Sequence, residues 1–148
     1  MTTNQPGSWA RQDPRNVSNV LRYRFTFADP GLAVGVQIGI LPQNAYIISQ
    51  SLEIVTAFNA ATTNPISVGT VAAAYNNIMA ATDNVPGTPN IYAPVYPGPT
   101  AVAAVGKYGR SLTQAGDTPV FLKYTPTGTA ATTGVGEYVL EFEGGFPG

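Results

Sequence analysis

Two segments near opposite ends of the chain alternate strictly between apolar and polar residues. Leu21, Tyr23, Phe25 and Phe27 are interleaved with Arg22, Arg24 and Thr26, and Tyr138, Leu140 and Phe142 with Glu137, Val139, Glu141 and Glu143. A period of two marks a half-buried β-strand, because successive side chains leave opposite faces of the backbone. The two segments also complement each other, aromatic against aromatic on one face and arginine against glutamate on the other. They are therefore expected to pair antiparallel, with Arg22 and Arg24 contacting Glu141 and Glu143 across the polar side.

The intervening sequence adds strands and turns. Val34, Val36, Ile38 and Ile40 alternate with Gly35, Gln37 and Gly39, where the glycines mark a bulge or a close approach. The β-rich run from Tyr46 to Phe58 puts Ile48, Leu52, Ile54 and Phe58 on one parity, and Ile66 to Gly69 and Thr118 to Tyr124 read as further strands. Asp29-Pro30-Gly31 and Leu41-Pro42-Gln43-Asn44 are turns. Val71, Tyr75, Ile78 and Met79 sit at helical spacing, which predicts one short helix or helical turn between Val71 and Ala81. The expected core is Leu21, Tyr23, Phe25, Phe27, Val36, Ile38, Ile40, Ile54, Phe121, Tyr138, Leu140 and Phe142. Connections of unequal length, with no repeated tight hairpin, favour an all-β, antiparallel jelly-roll-like sandwich over an up-and-down barrel. Residues 20–148 are read as this single β-sandwich domain, with at most one short helix. Residues 1–19, punctuated by Pro6, Gly7 and Pro14, are read as an extended arm.

Two segments do not fit a plain scaffold. Trp9, the only tryptophan, lies in the polar arm with Arg11 and Arg15, and either tucks back onto its own domain or anchors the arm on a partner. Asp83 to Pro99 contains Pro86, Pro89, Pro94, Pro97 and Pro99, which rule out a helix or a central strand. It also carries Ile91, Tyr92, Val95 and Tyr96, so it either packs on the sheet as an excursion or contacts another chain. The candidate partner interface is therefore Trp9, Arg11, Arg15, Tyr92 and Tyr96. The tail from Gly144 to Gly148 is expected to fray.

Composition narrows the chemistry. The chain has no cysteine and no histidine, which removes disulfides, thiolate metal sites, cysteine nucleophiles and the commonest general base. Glu141 and Glu143 share a strand face roughly 7 Å apart, near the spacing of glycosidase carboxylates. They also fit the polar side of an amphipathic strand, and that reading carries no chemistry. No calcium loop or phosphate cradle occurs, so neither an enzyme nor a cofactor nor a metal is expected. A net charge of −1 with only 10% charged residues gives no footprint for nucleic acid or an anionic membrane. The apolar runs fall short of the roughly 20 residues that a spanning helix needs. So little charge on a chain without a membrane segment points to a surface covered in an assembly.

Several stretches in order carry a resemblance. Val36-Gln37-Ile38-Gly39-Ile40-Leu41-Pro42, the run Ile47 to Thr56 ending in Thr56-Ala57-Phe58-Asn59, and Val68-Gly69-Thr70 come first. Gly116-Asp117-Thr118-Pro119-Val120, Tyr124, Thr127-Gly128-Thr129-Ala130-Ala131-Thr132 and Val139-Leu140-Glu141-Phe142 follow. Over residues 20–143 the chain resembles the small head decoration or cement proteins of tailed bacteriophages, encoded near the major capsid protein. The resemblance implies a jelly-roll-like protein that binds the outside of a capsid and holds capsomers together. It implies the major capsid protein as partner, a homo-oligomer on the capsid surface, and a place on the virion exterior after synthesis in the host cytoplasm. It assigns no catalytic residue. The arm before Val17 and the insertion from Asp83 to Pro99 depart from the family's pattern, and partner contacts peculiar to this chain are expected there. The alternative, from a different functional class, is a tail-fibre or spike module that stacks host carbohydrate on tyrosine-rich loops.

Overall fold

A computed structural model describes residues 18–43, 45–93 and 116–143. Seven strands form: β1 (Ser18–Thr26), β2 (Val36–Leu41), β3 (Tyr46–Thr56), β4 (Ile66–Gly69), β5 (Asn90–Tyr92), β6 (Thr118–Tyr124) and β7 (Val135–Glu143). They build two antiparallel sheets, one in the order β1-β7-β3-β5 and the other β2-β6-β4. Among the described strands, consecutive ones always lie in different sheets, so no two of them adjacent in sequence pair with each other. This is the jelly-roll-like sandwich that the unequal connections favoured.

The terminal strands meet as their patterns required. β1 pairs antiparallel with β7, placing Leu21 opposite Leu140, Tyr23 opposite Tyr138 and Phe25 opposite Gly136. Inward residues of both sheets make one core around Phe25, Leu52, Ile54, Phe58, Leu122, Tyr138 and Leu140. The Phe58 ring lies 5.8 Å from that of Phe25 and 4.9 Å from that of Tyr124. Glycine on β7 makes the aromatic packing possible, since a Cβ at Gly136 would sit 2.6 Å from Cζ of Phe25. Gln50, one of three buried polar side chains among the described residues with Ser67 and Asn84, is satisfied at both ends. Gln50 Nε2 donates to the Ile78 carbonyl at 2.8 Å, and its Oε1 accepts from the Tyr138 hydroxyl at 2.8 Å.

The structure corrects the inner strands. β2 starts at Val36, and Val34 lies in the preceding turn, exposed. A register shift between Gln37 and Gly39 then exchanges the faces, so Ile40 points to solvent and Leu41 is buried. A second shift between Ile47 and Ser49 buries Ile47 and Gln50 and leaves Ile48 outside. Phe27 lies one residue beyond β1 and is 36% exposed. In each case alternation was right locally, and one extra residue or a strand end moved the side chain to the other face.

The helical expectation for Val71 to Ala81 yields a single turn. The Tyr75 amide donates to the Val71 carbonyl at 2.9 Å, but Ala73 inside that turn sits at φ +71° and Tyr75 at φ +43°, so the turn is not helical and does not propagate. A separate 3-10 turn spans Ala81–Asp83. The described part of the proline-rich segment packs on its own sheet. The Phe58 amide donates to the Pro86 carbonyl, and β5 pairs with β3 as a three-residue edge, where proline neighbours are tolerated.

Phe25→Ala should cost about 3–5 kcal/mol, because the ring fills a space bounded by Gly136 and Phe58. Urea denaturation followed by tyrosine fluorescence measures it, and a loss below about 1 kcal/mol would place Phe25 outside the core.

Candidate assembly surface

The two sheets present different outer surfaces. On the four-stranded sheet the outward residues of β7 are Glu137, Val139, Glu141 and Glu143. The register puts Arg24 directly opposite Glu137 and Arg22 opposite Val139, so Arg22 reaches diagonally to form an ion pair with Glu137. The expected partners of the arginines are Glu141 and Glu143, but the glutamate engaged is Glu137: Glu141, equally a diagonal neighbour of Arg22, is taken by serines, and Glu143 lies opposite Ser18 at the far end of the strand. On its other side Glu137 stands opposite Glu53 of β3, a like-charge neighbour that the Arg22 guanidinium helps offset.

Glu141 is held by serines from both flanking strands. Ser18 Oγ of β1 donates to one carboxylate oxygen at 2.6 Å, and Ser49 Oγ of β3 donates to the other at 3.0 Å. These two hydrogen bonds favour the ionised form and hold the carboxyl below its ordinary pKa, Ser18 contributing most. The clamp ties three strands together on the outer face of the sheet.

The three-stranded sheet is covered by a loop. Tyr75 stacks on Phe121 of β6 with ring centres 4.6 Å apart and planes at 25°. The loop is pinned by Lys123 Nζ donating to the Ala73 carbonyl at 2.9 Å and by the Asn77 side chain, which accepts from the Thr70 amide at 2.7 Å and donates to the Thr70 hydroxyl at 2.9 Å. Ala73 at φ +71° and Tyr75 at φ +43° occupy the left-handed region without being glycine, at roughly 1–3 kcal/mol each. Two glycines open the seat: a Cβ at Gly35 would lie 2.5 Å from the Tyr75 ring, and one at Gly69 2.3 Å from Asn77 Oδ1. Helical spacing in the sequence gave no sign of this cap, because its partner Phe121 is distant in the chain.

Of the expected interface residues, Tyr92 is described. It lies on β5, half-buried against the core, and its hydroxyl donates to the Val85 carbonyl at 2.6 Å. Its neighbour Ile91 points outward and is 64% exposed. Trp9, Arg11, Arg15 and Tyr96 lie outside the described residues, as do the tail and most of the arm. Among the described residues no three carboxylates converge on one point, and no helix is long and apolar enough to cross a membrane.

This two-sheet sandwich has counterparts among solved structures. The fold is shared with chains of bacteriophage capsids. A chain of the cyanophage Pam1 capsid asymmetric unit superposes with a TM-score of 0.58 at 18% identity, over 97% of this chain and 99% of that one. A chain of the capsid of Ralstonia phage GP4 gives 0.60 at 16% identity, over 93% and 91%. A chain from the acidic stable capsid of Helicobacter pylori bacteriophage KHP30 gives 0.50 at 19% identity, over 85% and 86%. No protein-family profile and no curated protein matches the sequence. At these identities the likeness establishes the fold.

Ser18→Ala and Ser49→Ala should each raise the Glu141 pKa toward the ordinary carboxylate value, Ser18→Ala more. Because the folded value is depressed, the clamp's contribution to stability is present at neutral pH. It is lost as the pH falls through the depressed pKa, below the usual carboxylate range. A carbon-13 NMR titration of the Glu141 carboxyl reads this, and an unchanged midpoint in the double variant would show that the serines do not hold the charge.

Proposed function

We propose that this protein is a structural component of a phage particle that binds the outside of the capsid and stabilises it, as a decoration or cement protein. The observation that carries the reading is the fold shared with three phage capsid chains over most of their length and of this one. The sequence resemblance supports the finer role. So does a surface with few charges, which costs little to desolvate when buried between proteins. The partner is the phage major capsid protein, and the protein works as a homo-oligomer on the capsid surface.

In this reading Trp9, Arg11 and Arg15 of the arm and Tyr92 and Tyr96 of the proline-rich segment make the partner contacts. Tryptophan and tyrosine bring large contact areas with few rotatable bonds, and prolines reduce the entropy lost when a loop is ordered.

Cryo-electron microscopy of the particle bearing this chain tests the role. A density shell outside the capsid floor, fitted by the two-sheet sandwich, is expected. The same sandwich found only in tail fibres would overturn the reading in favour of a carbohydrate-binding module. Deletion of residues 1–16 should weaken co-sedimentation with particles and leave the melting temperature unchanged.

A further inference from the structure

Of the sheet edges, β1 is the long, regular one. At the other end of its sheet β5 has three residues, and in the second sheet β2 is broken by a register shift while β4 is covered by Ile78 and Met79. β1 runs nine residues in unbroken register with β7.

The direction of its backbone groups follows from one hydrogen bond. The Phe27 amide donates to the Gly134 carbonyl at 3.0 Å, continuing the β1–β7 register by one pair. Hydrogen-bonded and non-bonded pairs alternate in an antiparallel ladder. Odd residues of β1 therefore bond to β7, and the amides and carbonyls of Val20, Arg22, Arg24 and Thr26 point off the sheet. At Thr26 both groups are taken within the chain: its amide donates to Asp29 Oδ2 at 3.1 Å, and its carbonyl accepts from the Asp29 amide at 3.2 Å. Asp29 thus closes one end of the edge. Among the described residues nothing pairs with the outward groups of Val20, Arg22 and Arg24. Val20 is 62% exposed, and the Arg22 side chain 70%.

The chemistry of the occupant follows from the side chains beside those groups. Arg22 and Arg24 stand on the same face, and Arg24 has no carboxylate within ion-pair distance among the described residues. A strand added to this edge places its own side chains directly opposite them. A second copy of β1 running antiparallel sets arginine against arginine, or against Val20, in every central register. The other edge strands, β2, β4 and β5, carry no carboxylate. The three acids of the described loops, Asp29, Asp83 and Asp117, already accept from backbone amides of this chain.

We propose that the open edge of β1 between Val20 and Arg24 accepts an extended, carboxylate-bearing strand of another protein, aligned opposite Arg22 and Arg24. Backbone hydrogen bonds to Val20, Arg22 and Arg24 supply the attachment, and the two arginines select the strand. The inference requires a protein partner and holds whether or not that partner is a capsid.

The test is an NMR titration of the full chain, without particles, using two blocked pentapeptides: one alternating glutamate and valine, the other lysine and valine. The acidic peptide at millimolar concentration should shift and protect the amides of Val20, Arg22 and Arg24, and leave those of Leu21, Tyr23 and Phe25 unprotected beyond their existing bonds. The basic peptide should do neither. Arg22→Pro removes an outward amide that makes no ladder bond, so it should abolish the effect without unfolding the sheet. The double variant Arg22→Glu, Arg24→Glu, whose side chains face solvent, should transfer the response to the basic peptide. Equal responses to both peptides, or none at these three amides, would overturn the proposal. A negative result here leaves particle co-sedimentation unaffected, so the two readings fail separately.

Discussion

The fold depends on β7 lying between β1 and β3. That one strand supplies Tyr138, Leu140 and Phe142 to the core, both central ladders of the larger sheet, and the Glu137 and Glu141 side chains that tie its outer face together. Packing and pairing are linked at a single point, where the absence of a side chain at Gly136 admits the Phe25 ring. Any larger residue there must displace either the aromatic cluster or the ladder. In a closely packed interior neither yields without cost.

The ends of the chain were legible and the middle less so, for a physical reason. β1 and β7 keep one parity from end to end, so alternation alone gives their inward faces and their mutual pairing. β2 contains one shift of one residue and β3 two, and no local composition distinguishes Ile40 from Leu41 or Ile48 from Ile47 as the buried one. The glycines at Gly35 and Gly39 did signal the irregularity in β2. The Tyr75 cap was invisible because its energy comes from Phe121 and Lys123, distant in sequence, and those contacts overrode the helical spacing of its own segment.

The surface was less legible than the core. The arginines and glutamates were recognised as cross-strand partners, yet which glutamate pairs depends on register, and register is set by contacts on the opposite face of the sheet. The serines that clamp Glu141 drew no notice, because a hydroxyl acquires meaning only once its strand is placed. The open edge of β1 is a property of topology. It exists because the first strand is outermost in its sheet, and residue types alone do not reveal that.

The strict exchange between sheets also sets a timetable for synthesis. β1 has no partner until β7 has been made, more than a hundred residues later. At about 5–20 residues per second, the ribosome needs on the order of ten seconds to close that interval. During it Leu21 and Phe25 have no sheet to enter, and both central ladders of the larger sheet wait on the same late segment. Both the acidic clasp and the bounded edge of β1 come into being together, once β7 has been made. A nascent chain therefore cannot present these surfaces to a partner before its own core has closed.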